Sequence, residues 1–157
     1  MATLAESIDR LEAMPEFLDT ALSVVSEEQL RFKPSQDAFS LVEHACHLRD
    51  LEREGYVVRV RRMIGEARPA LAGFDGAAIA AQRDYMAQDA KAAAQEFAAA
   101  RRELVGLLAP LTEQDLAREG TFDGDPITFR DVIAMMVEHD RGHRDEIEQL
   151  MDAIEEP

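Results

Sequence analysis

Four stretches of this chain carry apolar residues at helical spacing, and no convincing apolar–polar alternation of the β kind accompanies them. Such stripes must be buried against one another, which points to an all-α fold. The first runs from about Thr3 to Val25 and spaces Leu4, Ile8, Leu11, Leu18 and Leu22 helically; Pro15 inside it predicts a kink or an early break. The second runs from Ser40 to about Glu66 and opens with Ser40-Leu41-Val42-Glu43, a capping box that satisfies two orphaned amides. A third covers about Ala77 to Leu108, ending before Pro110. The fourth opens at Thr128-Phe129-Arg130-Asp131, a weaker analogue of the same cap, and continues to about Ile154.

Two connections are alike. Ser26-Glu27-Glu28-Gln29-Leu30 follows the first helix and Thr112-Glu113-Gln114-Asp115-Leu116 follows the third, each reading as a short capped helical turn. The unit of helix, short turn, loop and newly capped helix therefore occurs twice, as a weak internal repeat. The expected architecture over residues 1–157 is a single-domain four-helix bundle with long connections and short extra helical turns.

Charge and cysteine content narrow the function classes. With 17 Lys and Arg against 32 Asp and Glu, the net charge of −15 repels phosphate backbones, so nucleic acid is not an expected partner. The lone Cys46 cannot form an intramolecular disulfide. The N-terminus lacks a basic region followed by an apolar run, and no stretch of about 18 apolar residues exists, so no signal peptide or membrane span is expected and the expected location is cytoplasmic.

All four histidines lie in the two best-capped helices. His139 and His143 are four apart on one face, and Val132, Met135, Met136, Ile147 and Leu150 fall within roughly 80° of His139, inside the apolar stripe. Buried imidazoles each bring a donor and an acceptor that need partners, either neighbouring side chains or a shared divalent metal. The second helix offers a third ring. His47 lies on the side of Leu51 and Val58, and His44 is displaced by roughly 60° towards Leu41 and Leu48. Spacing alone leaves open which of the two faces the fourth helix. Three imidazoles would leave a coordination position open, as catalytic sites do.

The segment Phe39-Ser40-Leu-Val-Glu-His-Ala-Cys-His47-Leu, with Asp50 and Glu52 following, resembles the second helix of the DinB-like (YfiT-type) metal-binding bundles. His139-Asp-Arg-Gly-His143-Arg-Asp-Glu-Ile resembles that family's closing helix, and Gly124-Asp-Pro-Ile-Thr128 its preceding turn and cap. The resemblance implies a divalent-metal site of His47, His139 and His143, with His44 a neighbour. It also implies a metal-dependent thiol (S-)transferase or a hydrolase of small amides, often as a homodimer. Two positions depart from the pattern: Glu146 stands where many relatives have Gln, and Phe39 where Trp is common.

Among other candidates, Glu43, Asp50, Glu54, Asp140 and Glu146 are near the histidines in sequence, and Glu146, within about 20° of His139, is the favoured general base. Arg49, Arg53, Arg59, Arg61 and Arg62 could receive an anionic substrate, but the interleaved Asp50, Glu52 and Glu54 favour a solvated face or an ion-pair network with acidic neighbours. Cys46, Met63, Met135 and Met136 read as core filling. Nitrogen ligands suit Zn²⁺, Ni²⁺, Co²⁺ or Fe²⁺, with Zn or Ni expected first. The partner expected is a small molecule such as a low-molecular-weight thiol. The rival reading is a non-enzymatic, stress-related metal binder or a helical interaction protein with structural histidines.

Overall fold

The capping boxes fix where the helices start. In the computed structural model, which describes residues 2–155, Thr3, Ser26, Ser40 and Thr112 each accept from the amide three residues on, while that residue's side chain accepts from the cap amide. They open α1 (Leu4–Ser23), α2 (Glu27–Leu30), α3 (Leu41–Asp50) and, later in the chain, α7 (Glu113–Leu116). Thr128 and Asp131 make the same reciprocal pair ahead of the last helix, α8 (Phe129–Glu155). Between α3 and α7 come α4 (Val57–Gly65), α5 (Gly76–Arg83) and α6 (Ala90–Leu108). The bundle is formed by α1, the 41–65 helix, α6 and α8; α1 packs on α6 and α8, and α3 on α6 and α8.

Four features differ from the sequence expectations. Helix α1 runs through Pro15 without a break, so packing outweighs the lost hydrogen bond. The 41–65 helix is interrupted by a π-helical segment, Leu51–Tyr56. The third periodic stretch is two helices: Asp84 adopts a left-handed conformation at φ 49°, a 3₁₀ turn follows at Tyr85–Ala87, and Asp89 caps α6 anew. Asp tolerates that conformation better than most residues, which permits the break.

The fourth difference is a small sheet of β1 (Ala70–Leu71), β2 (Glu119–Phe122) and β3 (Asp125–Thr128). β1 pairs parallel to β2, and β2 antiparallel to β3 with Phe122 opposite Asp125. Asp123 and Gly124, both at positive φ, form the two-residue turn whose twist suits a hairpin. Pro126 sits on the edge strand, where its missing N–H is tolerated.

Two apolar clusters fill the bundle. One gathers Leu18, Leu22, Leu41, Cys46, Phe97 and Ile147; the other Leu11, Val60, Met63, Leu104, Phe129 and Met136. On α6 and α8 buried or half-buried polar side chains stand between the two sets: Arg101 between Phe97 and Leu104, and His139, Asp140 and His143 between Met136 and Ile147. Arg101 is 2% exposed and grips Glu52 and Asp140, each through two hydrogen bonds, while also donating to the Leu11 carbonyl. This buried ion triad ties α1, the π segment, α6 and α8 together at one level, where buried charge requires complete pairing. The histidines occupy the same level. No helix of the described residues is long and apolar enough to cross a membrane.

Candidate metal centre

α3 and α8 deliver four imidazoles to one side of the polar layer. His47, His139 and His143 each present a ring nitrogen, and these three atoms lie within 4.8 Å of one another. Of the two helix α3 candidates that spacing left open, His47 is the one that faces both rings of α8, with centroids 5.6 Å from His139 and 4.8 Å from His143. His44 instead shares a hydrogen bond with His143, Nδ1 to Nδ1 at 3.0 Å. It thereby fixes the rotation of that ring, as an outer partner orients a ligand.

Burial keeps these rings uncharged. Desolvation, with each other's charge as the next cause, lowers His44 to about 3, His47 to about 4 and His143 to about 2; His139 is also lowered, chiefly by burial. Neutral imidazole is the form that binds a metal. The buried Nδ1 atoms of His47 and His139 find no hydrogen-bond partner among the described residues. Orphaned buried polar atoms are costly, and a cation shared among the rings removes the cost. The donor set therefore fits a divalent ion of the borderline class, and three protein ligands leave room for a further one.

The surroundings are closed on one side and open on the other. Phe39 lies against both His44 and His47, each at 5.5 Å between centroids. Gly76, at the start of α5, packs so closely on His47 that a Cβ there would be 2.6 Å from its Cε1 atom. Opposite, His139 and His143 line a cleft of about 850 Å³ whose walls also include Tyr56, Arg59, Phe74 and Phe122. A second cavity of about 520 Å³ meets the first at His143 and Glu146 and is lined by His44 and Phe39.

The carboxylates sort by partner. Glu43 caps α3 and meets Lys33. Asp50 accepts from the Tyr85 hydroxyl at 2.6 Å and pairs with Arg49 and Arg83; Glu54 pairs with Arg83, and Asp140 with Arg101. Glu146 is different. Its carboxylate is 3.8 Å from His44 Nε2 and 3.9 Å from His143 Nδ1, has no Arg or Lys partner among the described residues, and has its pKa raised by desolvation. His44, His143 and Glu146 form a second possible metal-holding group that shares His143 with the first.

Sequence reasoning placed Cys46 correctly: it is fully buried, and burial pushes its thiol up to about 11. It placed Met135 wrongly, since Met135 is exposed on the cleft wall. Arg49, Arg53, Arg61 and Arg62 are ion-paired, as expected, but only Arg49 with an interleaved acid, Asp50; Arg53 and Arg61 reach Glu96 and Glu103 on α6, and Arg62 reaches Glu66. Arg59 is not ion-paired among the described residues. Tyr56, Gly76, Phe74 and Phe122 were not singled out; the Asp-Gly turn at 123–124 was the available signal that a hairpin would bring Phe122 to the site.

Residues 10–147 match the family model of the DinB superfamily. No curated protein matches the chain significantly. Among solved structures, YfiT from Bacillus subtilis, described as a probable metal-dependent hydrolase with an unusual four-helix bundle topology, superposes with a TM-score of 0.87 at 22% identity, covering 96% of this chain and 87% of that one. A DinB-like protein from Bacillus subtilis, YjoA, superposes with a TM-score of 0.59 at 15% identity, covering 97% of this chain and 94% of that one. At those identities the two structures speak for the fold, and the family model, which spans most of the chain, for descent. This chain, with its bundle and its clustered histidines, belongs to the DinB superfamily.

Proposed function

We propose that this protein is a metal-dependent hydrolase of a small substrate, with His47, His139 and His143 as ligands of one divalent ion, Zn²⁺ or Ni²⁺ first among them. The observation that carries the reading is the convergence of three neutral imidazoles, of which His139 and His143 line an open cleft and His47 and His139 have orphaned nitrogens. The description of YfiT as a probable metal-dependent hydrolase supports the same reaction class. When bound, the ion supplies Lewis acidity, which polarises a carbonyl and acidifies a water ligand.

The chain's own residues do the rest. His44 holds His143 in one rotation through their shared hydrogen bond. Glu146, at the junction of the two cavities and without an Arg or Lys partner among the described residues, accepts a proton from the attacking water and returns it to the leaving group; its raised pKa suits both steps. Phe39, Phe74 and the close approach of Gly76 pack around His47 and fix its ring.

Elemental analysis of protein purified without an affinity tag tests this first. About one equivalent of metal per chain is expected, and loss of that metal in His143→Ala with helical content unchanged. Turnover of small amides and esters that falls on Glu146→Gln, while metal stays bound, completes the test. Turnover only of thiol acceptors would make the protein a transferase, and a metal-free protein with no Zn²⁺ or Ni²⁺ thermal shift would return the histidines to a structural role.

A further inference from the structure

Arg59 is buried to 7% exposure on the cleft wall, yet among the described residues it makes neither an ion pair nor a side-chain hydrogen bond. Its guanidinium lies between two rings, 5.4 Å from the centroid of Tyr56 and 5.0 Å from that of Phe122. Those contacts attract the cation through the ring faces but leave the in-plane N–H donors unmet. The carboxylate whose charge acts on it is that of Asp123, which accepts from the Gly73 amide. Every other arginine in the 41–65 helix has a carboxylate partner. The other buried arginine, Arg101, shows the usual solution, with two bidentate carboxylates.

We propose that Arg59 is the specificity-determining residue of the cleft and receives the carboxylate of a substrate with an apolar body. This rests on reading the histidine cluster in the same cleft as the reacting centre. A planar guanidinium with free in-plane donors matches a carboxylate, which it can bind through two parallel hydrogen bonds. The same wall presents Leu51, Phe74, Phe122 and Ala134, which suit an aryl or alkyl body. The rim adds Asp131, Glu138 and Glu146, and the chain is strongly acidic. That surface repels polyanions and accepts a single negative charge where one positive group waits for it.

Calorimetric titration with 3-phenylpropionate and with its primary amide tests the assignment, on metal-loaded and on chelator-treated full-length protein. The acid is expected to bind at least about tenfold more tightly than the amide. Arg59→Gln is expected to abolish that preference with metal stoichiometry unchanged, and Arg59→Lys to keep part of it. Met135→Glu, which adds a competing carboxylate on the exposed wall, is expected to weaken the acid and not the amide, with Met135→Gln as its neutral control; this arm stands if Arg59 variants fold poorly. Because Arg59 is no metal ligand, the preference survives chelation. An acid preference that persists in Arg59→Gln, or one that vanishes on chelation alone, overturns the assignment and leaves the metal site intact. Arg59-dependent preference in a protein that binds no metal supports the assignment and defeats the hydrolase reading instead.

Discussion

Replacing Arg101 with Met tests the polar layer most directly. Methionine approximates the length of the arginine stem, so the packing loss is small. What remains is Glu52 and Asp140, 1% and 6% exposed, without the guanidinium that now supplies four hydrogen bonds to them. Removing one partner from a buried ion group destabilises by about 3–5 kcal/mol. For a chain of this length that corresponds to roughly 6–20 °C in Tm. The sign of the pH dependence is also set. Burial already raises the pKa of Glu52 against the opposing pull of Arg101. Without Arg101 the folded state holds carboxyl protons to still higher pH than the unfolded chain, so the variant loses stability as pH rises through that window. Urea unfolding at pH 5 and pH 8 is the assay, and the deficit against the parent is expected to be larger at pH 8. Adding Glu52→Gln and Asp140→Asn to the variant should restore much of the loss. A deficit below about 1 kcal/mol, or one equal at both pH values, would refute the idea that orphaned charge is the cause.

Three further outcomes follow from the site. His44→Ala removes the partner of His143 Nδ1 and should weaken metal affinity by about 10- to 100-fold while stoichiometry at saturating metal stays at one, as competition with a chromophoric chelator would read; an unchanged affinity would free His44 of that role. Gly76→Ala places a methyl 2.6 Å from His47 Cε1, so metal affinity should fall further than Tm, and equal metal affinity would mean that α5 yields instead of the ring. Metal-free protein should lose stability as pH falls from 6.5 towards 4, because the unfolded chain protonates histidines that the folded state keeps neutral. Each ring contributes up to about 1.4 kcal/mol per pH unit in that window, measurable by urea midpoints in chelator; a flat profile would show the rings to be hydrated.

Much of the bundle was legible because its signals are local. Ser40-Glu43, Ser26-Gln29 and Thr112-Asp115 are reciprocal caps, and each marks a helix start to the residue. His139 and His143 share a face for the same reason: within α8 the spacing of 3.6 residues per turn holds without interruption. The small sheet was not legible from alternation, since β1 has two residues and β2 and β3 four each, too short for a period to register. Its one strong signal lay in the turn, Asp123-Gly124, whose positive φ values a hairpin demands.

Arg59 shows how a correct rule fails when its premise changes midway along an element. A wheel of 100° per residue carried from His47 puts Val58 on the face of the histidine. In the structure Val58 is 44% exposed, while Arg59 is 7% exposed and faces the cleft. Between His47 and these two residues lies the π segment Leu51–Tyr56, whose wider turn acts as an extra residue in the helix. Every side chain beyond it is set back by roughly one position, so residue 59 takes the place an unbroken α-helix would give to residue 58. The same displacement brings Tyr56, the last residue of the segment, edge-on to His139, at 6.0 Å between centroids. A π turn beside a cluster of potential ligands carries a cost in backbone geometry that α-helix would avoid, and such turns recur at functional sites. Here it aims Arg59, which has no carboxylate partner among the described residues, at the cleft where the imidazoles gather.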